Sequence, residues 1–103
     1  MSYSSLDPVI VAWARRHGLV LPIHDDRGVE LNFRNAYTSN SESECCQIWI
    51  DPSENGLVRV HAANVESRDD SEIRQDWCVP ECDLESALDT ALSFVRTWMT
   101  RKQ

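Results

Sequence analysis

The sequence is poor in glycine, has a single lysine and contains no long hydrophobic run. Each of its three glycines, Gly18, Gly28 and Gly56, falls at a predicted turn, which leaves none for a glycine-rich loop that cradles a phosphate. No segment approaches the roughly 20 consecutive apolar residues of a transmembrane helix. The short apolar run at 8–14 has no basic residues before it, unlike the core of a signal peptide. We therefore expect a cytoplasmic protein without membrane association.

Motifs that identify a reaction are also missing. The sequence contains no P-loop and no GxGxxG, HExxH or GxSxG pattern. The cysteines do not supply the four converging ligands of structural zinc, because Cys45 and Cys46 are adjacent and would point to opposite faces of a strand. Cys78 lies on a different predicted strand, at 72–79, and Cys82 follows that strand. We expect reduced thiols, no metal, no cofactor and no catalytic residue.

Negative charge is concentrated in one part of the chain. A net charge of −7 argues against a nucleic-acid partner, which needs a basic footprint, and favours a basic protein partner. Residues 66–89 contain nine acids and two arginines, whereas the remainder carries eight acids and eight basic residues. The nine acids are Glu66, Asp69, Asp70, Glu72, Asp76, Glu81, Asp83, Glu85 and Asp89. Asp83 and Glu85 have a local role at the start of a predicted helix. The partner is expected at Glu66, Asp69, Asp70, Glu72 and Asp76.

Two amphipathic segments predict a helix near each end of the chain. Asp7 followed by Pro8 is typical of an N-cap and the first helical position, and this helix is expected to end near His17. Asp83 is the predicted N-cap of the second helix, which has an apolar stripe at helical spacing. The stripe consists of Leu84, Ala87, Leu88, Ala91, Leu92, Val95, Trp98 and Met99.

Five strands are predicted between the helices, at residues 19–24, 29–34, 45–51, 57–65 and 72–79. Residues 39–44 are polar and predict a mobile loop, and residues 101–103 a frayed tail. The expected fold is a single α+β domain over residues 1–103, with a five-stranded, mainly antiparallel sheet and both helices packed on one face. Its order is α-β-β-β-β-β-α.

The turn at 52–56 predicts how the third and fourth strands pair. A five-residue loop places apolar residues opposite apolar residues, which favours that register. On the other face it places Trp49 opposite Arg59, where the guanidinium can stack on the indole as a cation–π pair. That face of the sheet is expected to be free of helices.

The fifth strand adds a polar pair to the same face. Its predicted register sets His61 opposite Asp76 and Arg59 opposite Cys78, and opposed side chains are close enough to touch. His61 and Asp76 are expected to form a structural charge pair. A thiol, an imidazole and a carboxylate together also suggest a nucleophile set, which makes a small thiol enzyme using Cys78, His61 and Asp76 an alternative.

These features favour a non-enzymatic protein-binding domain. Bacterial immunity proteins, which neutralise toxins, are often small, acidic and single-domain, and the chain resembles them in these general features. The resemblance implies occlusion of a basic toxin by an acidic surface with an aromatic anchor. The residues predicted to bind the partner are Trp49, Arg59, His61, Glu66, Asp69, Asp70, Glu72 and Asp76. A dimeric adaptor similar to secretion chaperones, and therefore a homodimer, is a further alternative.

Overall fold

The chain forms one helix, a four-stranded antiparallel sheet and a second helix, in that order. The structure is a computed structural model, and it describes residues 3–41, 44–65 and 74–102. Its elements are α1 (Asp7–His17), β1 (Arg34–Ser41), β2 (Glu44–Ile50), β3 (Leu57–Val65), β4 (Arg74–Pro80), a 3₁₀ turn (Glu81–Asp83) and α2 (Leu84–Lys102). Each strand pairs with the next, so the sheet order is β1-β2-β3-β4. The predicted α+β fold with an antiparallel sheet and two helices is confirmed.

The predicted number of strands is wrong. Strands were predicted at 19–24 and 29–34, but these segments contribute only isolated bridges up to residue 33, and β1 begins at Arg34. The Asp25 carboxylate accepts the backbone N–H groups of Arg27 and Val29 at 2.8 and 3.0 Å, which closes a turn where the second strand was expected to begin. In the part of the chain that the structure describes, the sheet therefore has four strands rather than five.

Apolar and polar residues alternate at 29–34, a pattern that predicts a strand with its apolar side chains in the core, and the structure does not bury them. Val29 and Phe33, expected in the core, are 54% and 41% exposed. Arg34, expected in solvent, is fully buried and is the first residue of β1. The inward position at the start of this strand is thus filled by a charged side chain, whereas Glu30 and Asn32 before it are exposed.

Strand pairing extends into the predicted loop at 39–44. β1 continues to Ser41, which lies opposite Glu44 of β2, and the two residues between them lie outside the described residues. At the other end of the chain, α2 continues to Lys102, so helix occupies all but the last residue of the predicted tail at 101–103, and that residue lies outside the described residues.

The ends of α1 follow the prediction in part. Leu6, not Asp7, occupies the N-cap position, and no side chain caps this helix. The C-terminal end is as predicted, because Gly18 adopts a left-handed conformation with φ of 67° and the N–H of Leu19 donates to the Ala14 carbonyl at 2.9 Å. Over the described residues, neither helix combines the length and apolarity needed to cross a membrane.

Both helices contribute to one hydrophobic core with one face of the sheet. The sheet supplies Ala36, Cys46, Ile48, Ile50, Val58, Val60 and Ala62, and the helices supply Ile10, Trp13, Ala14, Leu84, Ala87, Leu88, Ala91, Leu92 and Val95. The apolar stripe predicted for α2 is confirmed as far as Val95, and Trp98 packs against the core while half-buried. The side chain of Met99 lies outside the described residues.

Arg34 is the one charged side chain buried among the described residues, and its guanidinium is fully bonded. Its Nε and Nη2 donate to the two carboxylate oxygens of Asp7 at 2.7 and 3.1 Å. Its Nη1 donates to the carbonyl oxygens of Leu31 and Phe33 at 2.7 and 2.8 Å. A buried charge is tolerated only when it is paired and hydrogen-bonded, so Asp7 serves as the counter-ion of Arg34 rather than as a helix cap.

Tyr3 and Glu30 complete the surroundings of Arg34. The Nη2 atom of Arg34 lies 3.4 Å from Glu30 Oε1. The guanidinium carbon lies 4.4 Å from the centroid of the Tyr3 ring, a cation–π contact. The Tyr3 hydroxyl donates to the Ile50 carbonyl at 2.8 Å, and burial raises the pKa of this phenol. The hydrogen bond to Asp7 raises the pKa of Arg34, and the negative charges of Asp7 and Glu30 act in the same direction. The side chains of Tyr3 and Arg34 therefore join the N-terminal residues to α1 and β2.

We expect Asp7→Ala to lower the free energy of unfolding by about 3–5 kcal/mol, because it leaves the buried guanidinium without a counter-ion. Urea denaturation followed by circular dichroism measures the change. The matched control is Asp26→Ala, which removes an exposed carboxylate from the turn after Ile23 and should cost less than about 0.5 kcal/mol. Equal losses in the two variants would mean that the buried pair has no such role.

Candidate functional site

β2 and β3 pair two residues away from the predicted register. Trp49 lies opposite His61, not opposite Arg59, so the predicted Trp49–Arg59 stack is wrong. The prediction relied on matching apolar residues across the pair. A shift of two residues leaves every side chain on its original face, so apolar matching cannot separate the two registers.

The turn between these strands accounts for the register. Asn55 and Gly56 have φ values of 54° and 77°, the pattern of a two-residue type I′ turn. The flanking Glu54 and Leu57 exchange backbone hydrogen bonds of 2.9 and 3.0 Å. The loop predicted at 52–56 is therefore a tight Asn-Gly hairpin, and this dipeptide is the sequence signal that would have identified it.

The predicted register between β3 and β4 is confirmed. His61 lies opposite Asp76, and Arg59 lies opposite Cys78. One row of side chains now crosses all four strands, namely Asn35, Trp49, His61 and Asp76. We call the sheet face that carries this row the open face, because the described helices pack on the other face.

His61 is held from both sides by carboxylates. Its Nδ1 lies 2.5 Å from Asp76 Oδ1, and its Nε2 lies 2.9 Å from Asp51 Oδ2. The side chain is 12% exposed, although it lies on the open face. A neutral imidazole has one N–H to donate, whereas the imidazolium form donates to both carboxylates at once. The ring is therefore fixed in one orientation.

Asp76 is the exposed member of this group. The hydrogen bond from His61 lowers the pKa of its carboxyl group, and the positive charge of Arg74 acts in the same direction. Arg74 Nε lies 3.4 Å from Asp76 Oδ1. The Asp76 side chain is still 52% exposed, so it remains accessible to another molecule while it holds His61.

Trp49 is stacked on the fixed imidazole. The two ring centroids are 5.0 Å apart and the planes are inclined by 16°. The guanidinium carbon of Arg74 lies 5.5 Å from the centroid of Trp49, so the cation near this indole comes from β4. The predicted aromatic–cation contact exists with a different arginine, and the aromatic neighbour on His61 was not predicted from the sequence.

Arg59 lines a shallow depression beside this group. The depression has a volume of about 380 Å³ and is lined by Asp51, Pro52, Glu54, Asn55, Leu57, Arg59 and Cys78. Cys78 is a free, exposed thiol there. Because both nitrogens of His61 contact carboxylates, neither is left to activate this thiol, and the geometry does not assemble the predicted nucleophile set.

The predicted acidic surface separates into two parts. Glu66, Asp69, Asp70 and Glu72 lie outside the described residues, so the structure does not place these four predicted partner-binding residues. Three of the remaining acids bond to the N-terminal region: Glu81 accepts from Ser5 at 3.1 Å, Glu85 pairs with Arg16 at 2.7 Å and Asp89 accepts from Trp13 at 3.1 Å. These three acids connect distant parts of the chain, and sequence spacing gave no sign of it.

No disulfide bond joins the cysteines whose side chains the structure describes. Cys46 is buried in the core, whereas Cys78 and Cys82 are exposed. Within the described ranges, no group of three or more His, Cys, Asp or Glu side chains is arranged to hold a metal ion. The side chain of Cys45 lies outside the described residues.

Acid should remove the contribution of Asp76 to stability. Its pKa is lower in the folded protein than in the unfolded chain, so its contribution is complete above the unfolded value of about 4 and disappears as the pH falls through the folded value. The stability difference between wild type and Asp76→Asn should therefore be largest at about pH 6 and shrink below about pH 4. Urea denaturation at a series of pH values measures it.

Asp26→Asn is the control for this titration, because Asp26 is an exposed carboxylate in a turn outside the sheet. Its effect on stability should stay small at every pH. A difference for Asp76→Asn that is constant on acidification, or grows, is the result that contradicts the assignment.

Comparisons of the chain with protein-family models, with curated proteins and with solved structures found no match. The function is therefore inferred from the geometry of the open face. Its central feature is an indole stacked on an imidazole that two carboxylates hold in place.

Proposed function

We propose that this chain is a non-enzymatic protein-binding domain that takes up a basic protein on its open face. The observation that carries the proposal is the stack of Trp49 on His61, which lies on a sheet face that no described helix covers. An immunity-type inhibitor of a basic bacterial toxin, acting in the cytoplasm, is the specific role that fits. Such an inhibitor needs a rigid anchor and complementary charge.

Trp49 has the properties of a binding anchor. Tryptophan is enriched among the residues that supply most of the free energy of protein–protein binding. Its ring is already fixed by the stack on His61, so little side-chain freedom remains to be lost on binding.

The carboxylates that hold His61 also supply charge complementarity. Asp51 and Asp76 are 45% and 52% exposed, and each keeps oxygen atoms available to a lysine or arginine of the partner. The chain as a whole has a net charge of −7, which accelerates encounter with a basic protein. Binding of this kind weakens as salt screens the charges.

The two alternatives have less support. A thiol enzyme would need a base for Cys78, and His61 is bonded to carboxylates through both nitrogens. A dimeric adaptor would bring two chains of net charge −7 together, and like charges oppose that association. Protein binding through the open face requires no further group and remains our proposal.

The test is quantitative capture from an extract of the source organism, with tagged wild type and tagged Trp49→Ala as baits. We expect wild type to retain one dominant basic protein, and Trp49→Ala to retain about tenfold less of it, as for the loss of a central anchor. Retention should also fall when the salt is raised. Thermal melts of each bait confirm that it is folded.

Val29→Ser is the matched control, because Val29 is an exposed apolar residue on the turn before β1 and lies outside the strands of the sheet. It should retain the protein as wild type does. The proposal fails if the dominant protein is acidic, or if Trp49→Ala and Val29→Ser retain it equally. Titration calorimetry with the purified protein then gives the affinity of each variant.

A further inference from the structure

The two edges of the sheet differ. β1 is partly covered along its outer side, because the N–H of Tyr37 donates to the carbonyl of Val20 at 3.1 Å. β4 pairs with β3 alone among the described residues. An unpaired strand presents a row of backbone donors and acceptors that can accept another strand. β4 is therefore the edge at which the sheet can be extended.

The hydrogen bonds show which backbone groups of β4 point outward. The N–H of Asp51 donates to the carbonyl of Arg59 at 3.0 Å, so the backbone groups of Arg59 face β2. Backbone direction alternates along a strand, and Arg59 lies opposite Cys78. The backbone groups of Cys78 therefore face away from β3, as do those of Asp76 and Arg74.

The side chains along β4 differ between its two faces. Arg74, Asp76 and Cys78 are on the open face and are exposed. On the helix face, Trp77 and Val79 are only half-buried, and Trp77 meets the ring of Phe94 edge-on at 5.9 Å. A strand added beside β4 would place alternate side chains next to a carboxylate and next to apolar groups.

We propose that an extended segment of the basic partner adds to β4 as a fifth strand. Its alternate residues would be a lysine or arginine beside Asp76 and apolar side chains beside Trp77 and Val79. The inference rests on the proposed function and names the part of the partner that binds. Addition of a strand to a free edge is a recurring mode of peptide recognition.

The charge around the edge identifies the occupant. Glu81 and Asp83 directly follow β4 in the sequence, and the chain as a whole has a net charge of −7. Asp76 adds an exposed carboxylate within the strand. A basic segment complements this surface, whereas a second copy of the chain would bring the same acids against it. Pro80, which has no N–H, limits the pairing to the residues before it.

The test uses a synthetic seven-residue peptide in which lysine alternates with valine or threonine, its ends blocked. Amide hydrogen exchange is followed by NMR on the full chain. On addition of the peptide, exchange of the Asp76 and Cys78 amides should slow by about tenfold, because they gain hydrogen bonds. The amides of Trp77 and Val79 face β3 and should be slow with or without it. A peptide N-methylated at alternate residues, with the same charge, should give no protection.

A pair of substitutions separates the backbone from the side chain. Cys78→Pro removes an outward-facing N–H without breaking a bond to β3, and edge strands tolerate proline at such positions. It should abolish the protection of Asp76, whereas Cys78→Ala, which keeps the N–H, should preserve it. If Cys78→Pro does not fold, the N-methylated peptide still decides the question.

Three outcomes would overturn the inference. The first is no slowing of the Asp76 amide at millimolar peptide. The second is protection that depends on protein concentration without peptide, which would assign the edge to a second copy. The third is a response confined to Trp49 and His61, which would limit binding to the open face. None of the three decides the proposed function, which the capture experiment with Trp49→Ala tests separately.

Discussion

The buried guanidinium of Arg34 is the constraint on which the rest of the structure depends. A charge without solvent is stable only if every donor has a partner. Arg34 finds its partners in Asp7 of α1 and in the carbonyls of the segment before β1, and it stacks on Tyr3. The path of the chain into the sheet and the position of α1 are therefore set by a single polar cluster at the margin of an apolar core.

Sequence patterns predicted the parts of the fold that depend on local spacing. The two helices, the pairing of β3 with β4 and the His61–Asp76 contact are of this kind. Arg34 was misplaced because its alternation with apolar neighbours is the ordinary sign of a solvent-facing residue. Nothing near it in the sequence indicates that its counter-ion lies 27 residues earlier, in Asp7.

The candidate site shows the same division. The face on which Trp49 and His61 lie was predicted, because parity along a strand survives an error of two residues in register. Their stacking was not, because it depends on which residues are directly opposed. Glu81 and Asp89 were counted in the acidic segment without a structural role, whereas the structure bonds them to Ser5 and Trp13. A charge pattern in sequence therefore overstates the charge that is free for a partner.

The order of the elements has a consequence for synthesis of the protein. The four strands are neighbours in sequence and can pair as soon as they are made, but α2 is the last element and supplies much of the core. The hydrogen bond between Trp13 and Asp89 spans 76 residues. Until α2 packs on it, the sheet exposes its apolar face to solvent. A form of the protein in which α2 is undocked therefore exposes apolar surface of the kind that makes partly folded chains aggregate.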